Sequence, residues 1–380
     1  MLAVLLAAGS GACAGTDRPT LGAPPTAVAA PEGALPAAEL RQRIVAGLST
    51  VRTVRAEIVE ITPSSRTGPV ERRSEVIETD RGDFVEIDSG VGGQAYLAAR
   101  QQFWSWTATG DSTGTRTGVA PGPPDFHVRP GPRTPANLAR LALSIEDPTI
   151  SEGRHGDRSA WIVQGPIDQG PMAAFGGDNV AITVDQVTGL GMRVQATARA
   201  VPVYELNVER LTMNHPVSEA DLQAMIPKGE PSQSQAMGFR RVSLETVVAA
   251  AGYRPFLPAS LPPGYAPADL AVAALVEHGR GESLTPDREV VSAIYRRGLD
   301  RIAVSNRRLD TGQGVFPPGR ESDRVSGGAL DGSDSYVVRE KGPPSADWTL
   351  RAIVGGRAVM VVGPDRDGVI AVARGLAPAG

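Results

Sequence analysis

The hydrophobic positions of the chain follow two periods in turn. In "AAELRQRIVAGLSTV", Leu40, Ile44 and Leu48 recur at every fourth residue and form one face of a predicted helix. The period changes to two in "VRAEIVEITPSS", which begins at Val54, and it stays at two in further short segments up to Thr109. The pattern therefore predicts a helix followed by a meander of antiparallel strands.

A second group of elements follows a loop-like region at 110–135 that is dense in Gly, Thr and Pro. The segment "TPANLARLALSI" predicts a helix with Thr134 as its N-cap and with Leu138 and Leu141 facing inward. Alternation returns in three segments between 159 and 214, which predict strands. A short helix in "SEADLQAMI" is predicted to close this group, because Ser218 and Asp221 fit a capping box.

The periodicity breaks at "PKGEPSQSQAMG" and resumes with a helix in "SLETVVAAAG". Next comes the proline segment, "YRPFLPASLPPGYAPADLAV", whose prolines favour an extended path, and then several strands and a final helix in "DRDGVIAVARGLA". At 380 residues the chain exceeds what one core usually holds. We therefore predict two units, at 37–230 and 244–380, joined by a linker at 231–243.

The first residues, "MLAVLLAAGSGACAG", form a short apolar run that ends in small residues just before Cys13, the single cysteine. The run is too short to span a bilayer but suits the core of a signal peptide. It resembles a bacterial lipoprotein signal at 1–13, which implies acylation of Cys13. A cleaved secretory signal and an unprocessed segment are the alternatives. Residues 14–36, rich in Pro, Ala, Gly and Thr, predict a disordered tether.

The composition gives little support to nucleic-acid binding or catalysis. The formal net charge is −4, so there is no basic excess that would favour nucleic acid. The four histidines are far apart in sequence and show no paired spacing for a metal. The segment "GDSTG", which contains Ser112, resembles a protease nucleophile loop, but the histidine segment that such chemistry needs is missing. The sequence predicts neither an enzyme nor a cofactor.

Two groups of residues are candidate binding sites. Aromatic residues make up only 4% of the chain, yet four of them fall between 96 and 106, and they predict either the wall of a hydrophobic cavity or ordinary core packing: Tyr96, Phe103, Trp104 and Trp106. Five arginines of the second unit predict either a surface for an acidic partner or anionic lipid headgroups, or a solvated strand face: Arg296, Arg297, Arg301, Arg307 and Arg308.

Several segments occur in the order typical of two protein families. "QQFWSWTATG" resembles the strand of LolA-like proteins that carries a Trp-x-aromatic pair, and "NVAITVDQVTGLGMRVQA" resembles their Val-Asp-x-x-Thr-Gly hairpin. "VERLTMNHPVSEADLQAMIPKG" resembles their closing strand, turn and helix. The second unit resembles the C-terminal domain of the RseB/MucB sigma-E regulators, through Pro258, Leu261, Pro262, Gly264 and Tyr265, followed by Tyr295, Gly298, Leu299, Ile302 and Val304.

The resemblance implies an α+β fold, in which a curved antiparallel sheet forms an unclosed β-barrel with helices plugging its concave side, followed by a smaller α+β domain. In those families the hollow accepts acyl chains or hydrophobic peptide segments. We therefore expect an extracytoplasmic, membrane-anchored lipoprotein that binds a lipid-like ligand and regulates or senses the state of the cell envelope through a partner such as an anti-sigma factor. A lipid or lipoprotein carrier without a signalling role, and a structural envelope protein with a filled cavity, are the alternatives.

Overall fold

The structure is a computed structural model of the chain. It describes residues 35–63, 68–89, 91–100, 102–109, 112–119, 133–145, 147–167, 175–228, 233–235, 240–274, 289–308, 322–339 and 347–379. The predicted lipoprotein signal with Cys13 lies outside the described residues, as does almost all of the predicted tether.

In its described residues, the first unit has one twelve-stranded sheet and three α-helices. The helices are α1 (Ala37–Thr50), α2 (Pro135–Leu143) and α3 (Glu219–Met225). The strands, in chain order, are β1 (Thr53–Thr62), β2 (Val70–Thr79), β3 (Phe84–Asp88), β4 (Gly92–Leu97), β5 (Gln102–Thr109), β6 (Ser112–Val119), β7 (Thr149–His155), β8 (Arg158–Pro166), β9 (Asn179–Asp185), β10 (Gly191–Ala198), β11 (Val201–Met213) and β12 (Gln233–Gln235).

The strand order of this sheet is β12-β6-β5-β4-β3-β2-β1-β11-β10-β9-β8-β7. All neighbouring strands are antiparallel except β12, which pairs parallel to β6. Register shifts at Glu57/Ile58 and at Ala196/Thr197 mark irregularities of the kind that bend a strand and increase its twist. Among the described strands no ladder joins β7 to β6 or β12, so the sheet is open. The predicted open antiparallel sheet is confirmed.

The two longer helices of the first unit pack on one face of this sheet, which we call the inner face. Leu40, Ile44 and Leu48 of α1 are each at most 2% exposed, as are Leu138 and Leu141 of α2. They share one hydrophobic core with side chains of β1 and of β8 to β11. The predicted helix stripes are therefore confirmed, and their burial is the main apolar contribution of the helices to folding.

The caps that the sequence predicts for two helices are also present. The Thr134 side chain accepts a hydrogen bond from the Asn137 amide at the start of α2. At the start of α3, Ser218 and Asp221 each accept a hydrogen bond from the other's backbone amide, which is the predicted capping box.

The second unit has a sheet and a core of its own. Its α-helices in the described ranges are α4 (Val247–Ala251) and α5 (Arg366–Arg374). Its strands are β13 (Arg240–Arg241), β14 (Phe256–Pro258), β15 (Ala266–Ala274), β16 (Glu289–Arg297), β17 (Asp300–Arg308), β18 (Asp323–Arg324), β19 (Ser335–Arg339), β20 (Trp348–Val354), β21 (Arg357–Gly363) and β22 (Leu376–Pro378). Eight of them form one sheet in the order β13-β15-β16-β17-β21-β20-β19-β18.

The proline segment lies within the second unit. Its strand β14 pairs antiparallel with β22 near the end of the chain, and the Ala259 amide donates to the Gly375 carbonyl. The chain itself passes from the first sheet to the second between Gln235 and Arg240, inside the predicted linker. The proline segment therefore joins the beginning of the second unit to its end.

Candidate functional site

The predicted aromatic group is divided between the two faces of the first sheet. Trp104 and Trp106 are each 8% exposed and pack with Leu222 and Ile226 near α3. This is the face opposite α1 and α2, which we call the outer face. Gly93 lies opposite Trp106, and a Cβ on Gly93 would come within 2.4 Å of the indole ring. The two tryptophans therefore fill a small core under α3.

Tyr96 lies on the inner face, where it is fully buried and stacks on Phe84 with 6.4 Å between the ring centroids. Phe103 occupies the register position opposite Tyr96 in β5, and its side chain lies outside the described residues. A single cavity wall made of all four rings is not what the described positions form, because the two tryptophans face away from Tyr96. A ligand role for these residues stays a prediction.

A polar cluster occupies the inner face beyond the helices. The Arg133 guanidinium lies 3.1 Å from Glu60, 3.7 Å from Glu86 and 3.0 Å from Asp88. Burial disfavours the Arg133 cation, but the three carboxylates outweigh this effect and hold its pKa above the ordinary value. Burial, with a smaller contribution from Glu60, raises the pKa of the Tyr204 hydroxyl. This part of the inner face is therefore charged and internally paired.

The five predicted arginines do not share one open surface. Arg301 is 7% exposed and lies 3.8 Å from the Asp347 carboxylate. Arg297 donates to Asp300 at 3.2 Å and lies over the Tyr265 ring at 4.6 Å. These two arginines therefore serve contacts inside the protein.

The other three arginines are half-buried. Arg308 donates to the Gly252 carbonyl, and Arg307 lies opposite Val290 in the sheet. Arg296 reaches the Gly82 turn of the first unit, where a Cβ on Gly82 would come within 2.1 Å of its guanidinium. A partner surface made of these arginines stays a prediction.

A cleft of about 730 Å³ lies between the two units. The first unit contributes its Asp80–Asp83 turn and Ala98 and Ala99, and the second unit contributes Arg241, Arg296 and the start of β15. Arg241 donates to the carbonyls of Ala98 and Ala99 at 2.5 and 3.1 Å, and it pairs with Asp269 at 2.9 Å. The cleft is therefore lined by charged side chains that already bridge the units.

An apolar groove of about 710 Å³ adjoins this cleft on the second unit. One wall is the proline segment, and the others are the start of β15 and the end of the chain. The apolar side chains that line it include Leu244, Leu257, Leu261, Leu270 and Tyr295. Leu244 is 58% exposed at its rim, and burial raises the pKa of Tyr295 to about 12. The groove and the cleft share residues 267–270 of β15.

No helix in the described part of the chain is both long and apolar enough to cross a membrane. Within the same residues, no group of three His, Cys, Asp or Glu side chains is placed to hold a metal ion. The side chains of the "GDSTG" segment lie outside the described residues.

Comparison with known proteins gives likeness of fold at low identity. No protein-family model matches the chain, and no curated protein matches it. Among solved structures, the chain is similar to the Pseudomonas aeruginosa MucA/MucB complex, with 17% identity over 90% of this chain and 99% of the other, and a TM-score of 0.28. The solved neighbours include both families that the sequence resembles.

Two further structures match the chain over about half its length. A LolA-superfamily protein of Nitrosomonas europaea is 9% identical over 48% of this chain and 96% of its own, with a TM-score of 0.23. LprF of Mycobacterium bovis is 15% identical over 49% of this chain and 97% of its own, with a TM-score of 0.28. The fold class of the chain is assigned from its own strand order, which is that of an open antiparallel sheet.

Sequence reasoning missed the residues that join the units. Leu299 belongs to the second unit, but it is 1% exposed within the core of the first. Arg140 occupies a polar position in the sequence pattern of α2, but in the structure it is only 3% exposed. One indication of this contact was present in the sequence. Gly298 and Leu299 belong to the segment that resembles the RseB/MucB regulators, but the resemblance did not say what they contact.

Proposed function

We propose that this chain is an extracytoplasmic binding protein of the cell envelope, in which an apolar, extended segment of a partner protein occupies the groove beside the proline segment. The observation that supports this proposal is the groove itself, which is about 710 Å³ in volume and lined mainly by leucine, alanine and proline side chains. A concave apolar surface of this size is typical of a binding site. The class of partner, the extracytoplasmic segment of an anti-sigma factor, comes from the sequence resemblance to RseB/MucB regulators.

The inner face of the first sheet offers less room for a lipid. Where it is described, α1 and α2 cover it with leucine and isoleucine side chains that are at most 2% exposed. Beyond the helices it carries the paired charges around Arg133. An acyl chain gains about 0.8 kcal/mol per CH₂ only where it contacts apolar surface. We therefore place the hydrophobic ligand in the groove of the second unit and treat lipid as the competing occupant.

The exposed leucine at the rim of the groove allows a test that leaves the fold intact. We expect Leu244→Glu to weaken binding of the purified extracytoplasmic segment of an anti-sigma factor from the source organism by about tenfold or more, because burying a leucine is worth roughly 1.5–3 kcal/mol. Isothermal titration calorimetry on the full chain measures this change. A fluorescent 16-carbon fatty acid, titrated in parallel, tests whether lipid occupies the same groove.

Val187→Glu is the matched control, since Val187 is 84% exposed in a turn of the first unit. It makes the same type of substitution away from the groove and is expected to leave affinity unchanged. Equal affinities for wild type and Leu244→Glu would overturn the groove as the binding site. Fatty-acid binding that is lost in Leu244→Glu, with no binding of the protein segment, would instead assign the chain as a lipid carrier.

A further inference from the structure

The hairpin between β16 and β17 ends in a two-residue tip that enters the first unit. Gly298, the first residue of the tip, has φ +56°, a backbone conformation that glycine adopts without strain. A Cβ at this position would lie 2.6 Å from the Ser49 carbonyl oxygen and 2.7 Å from that of Leu48. The tip therefore meets the C-terminal end of α1 so closely that no side chain fits between them.

Leu299, the second residue of the tip, is held on three sides by the first unit. Its amide donates to the Leu48 carbonyl at 3.4 Å, and its own carbonyl accepts from the Arg140 guanidinium at 2.6 Å. Its side chain packs with the core residues between α1 and α2. The tip thus occupies a socket made by the end of α1 and the buried face of α2.

The socket also contains a buried ion pair across the units. Asp300 is fully buried, and its Oδ1 atom lies 3.7 Å from the Arg140 guanidinium while making no hydrogen bond to a described group. Arg140 is held from the other side by the Asn137 side chain, to which it donates at 2.6 Å. A buried pair that is incompletely hydrogen-bonded gains little over its hydrated, separated form. Separating the units would therefore cost less free energy than separating an entirely apolar interface.

Among the described residues, arginines also make further contacts between the units. Arg241 reaches the carbonyls of Ala98 and Ala99, and Arg41 of α1 lies 3.5 Å from Asp365 at the start of α5. The side chains of the Arg41–Asp365 pair are about a third exposed. Each unit meanwhile retains a hydrophobic core of its own.

We propose that the tip at residues 298–299, together with the adjacent Asp300, is a releasable joint, by which the second unit docks on the first and from which it withdraws while both units remain folded. The joint combines one inserted leucine with charged groups that water can solvate on opening, which suits a contact that forms and breaks. This proposal is independent of what occupies the groove, because it concerns only the two units of the free protein.

Hydrogen exchange on the wild-type full chain tests the joint without any substitution. The Leu299 amide, which donates across to the first unit, is expected to exchange at least about tenfold faster than the amides of β9 and of residues 301–308, since opening exposes the tip but not the two cores. Equal protection of the tip and both cores would overturn the proposal, because the tip would then be released only by global unfolding.

Distances between the units provide a second readout. Spin labels at Val187→Cys and Asp367→Cys, in a Cys13→Ser background, report on one unit each, and both positions are more than four-fifths exposed. Leu299→Ala is expected to increase the population at a second distance at least threefold. Leu330→Ala, which removes a fully buried leucine from the second core, is the matched control and is expected to lower stability without changing the distances. Identical distance distributions in wild type and Leu299→Ala would contradict a releasable joint.

Discussion

At the scale of single residues, glycines show where a close approach leaves no room for a side chain. Gly298 combines a positive φ with two carbonyl oxygens of α1 less than 3 Å from the position of a Cβ. Gly332 has a similar φ, +72°, but nothing lies within 4 Å of its Cβ position. Comparing substitutions at Gly298 and Gly332 therefore separates the free-energy cost of the backbone conformation from the free-energy cost of the close contact.

We expect Gly298→Ala to destabilise the protein clearly more than Gly332→Ala. Both variants incur the roughly 1–2 kcal/mol cost of a left-handed conformation in a residue with a Cβ, and only the first also displaces the tip from α1. Thermal unfolding followed by circular dichroism measures the difference. Equal losses of stability in the two variants would show that the tip does not lie in close contact with the end of α1.

At the scale of elements, helix α2 depends on its first turn, because this helix carries both core leucines and the buried Arg140. The Thr134 side chain is fully buried and accepts from the Asn137 amide at 3.2 Å. We expect Thr134→Ala to lower the free energy of unfolding by about 1 kcal/mol, since an N-cap bond is lost. Urea denaturation measures this loss, and Thr134→Ser, which keeps the hydroxyl, is expected to restore most of it. A full loss in the serine variant would assign the effect to packing of the methyl group.

The elements themselves could be predicted from the sequence to a large extent. Periodicity identified the buried stripe of Leu40, Ile44 and Leu48, and the residue types at the helix starts identified the caps at Thr134 and Ser218. Each of these signals is contained within a few neighbouring residues of the sequence. The position of Leu299 in the core of the first unit could not be predicted in this way. It depends on the docking of two separately formed sheets, which local periodicity does not encode.

The candidate site was predicted less well than the fold. Their closeness in the sequence suggested that Trp104, Trp106 and Tyr96 lie together. The pairing of β4 with β5 instead places Trp104 and Trp106 on the outer face of the sheet and Tyr96 on the inner face. Arg140 has the sequence context of a solvated helix position, and its burial becomes visible only once the tip of the second unit covers it. Residues that are distant in sequence, such as Leu257 and Ala377, line the groove together through the pairing of β14 with β22.

At the scale of the whole molecule, the joint is expected to respond to pH through Asp300. Burial raises the pKa of Asp300, although Arg140 and Arg297 oppose the shift and Asp347 adds to it; Glu78 faces Arg140 from β2. In an open joint, Asp300 is hydrated and its pKa returns toward 3.8, the value of the free side chain. The docked form therefore binds the proton more tightly than the open form.

Acidification should consequently favour the docked form. The stabilising contribution of Asp300 is complete below its ordinary pKa of 3.8 and is lost as the pH rises through the raised pKa of the docked form. We expect the open population, measured with the Val187 and Asp367 spin labels, to fall as the pH decreases from 7 toward 4. In Asp300→Asn this dependence should largely disappear, because the titrating group is gone while Arg140 and Asp347 remain. An open population that rises on acidification in the wild type, or that follows the same pH curve in Asp300→Asn, would show that other groups control the joint.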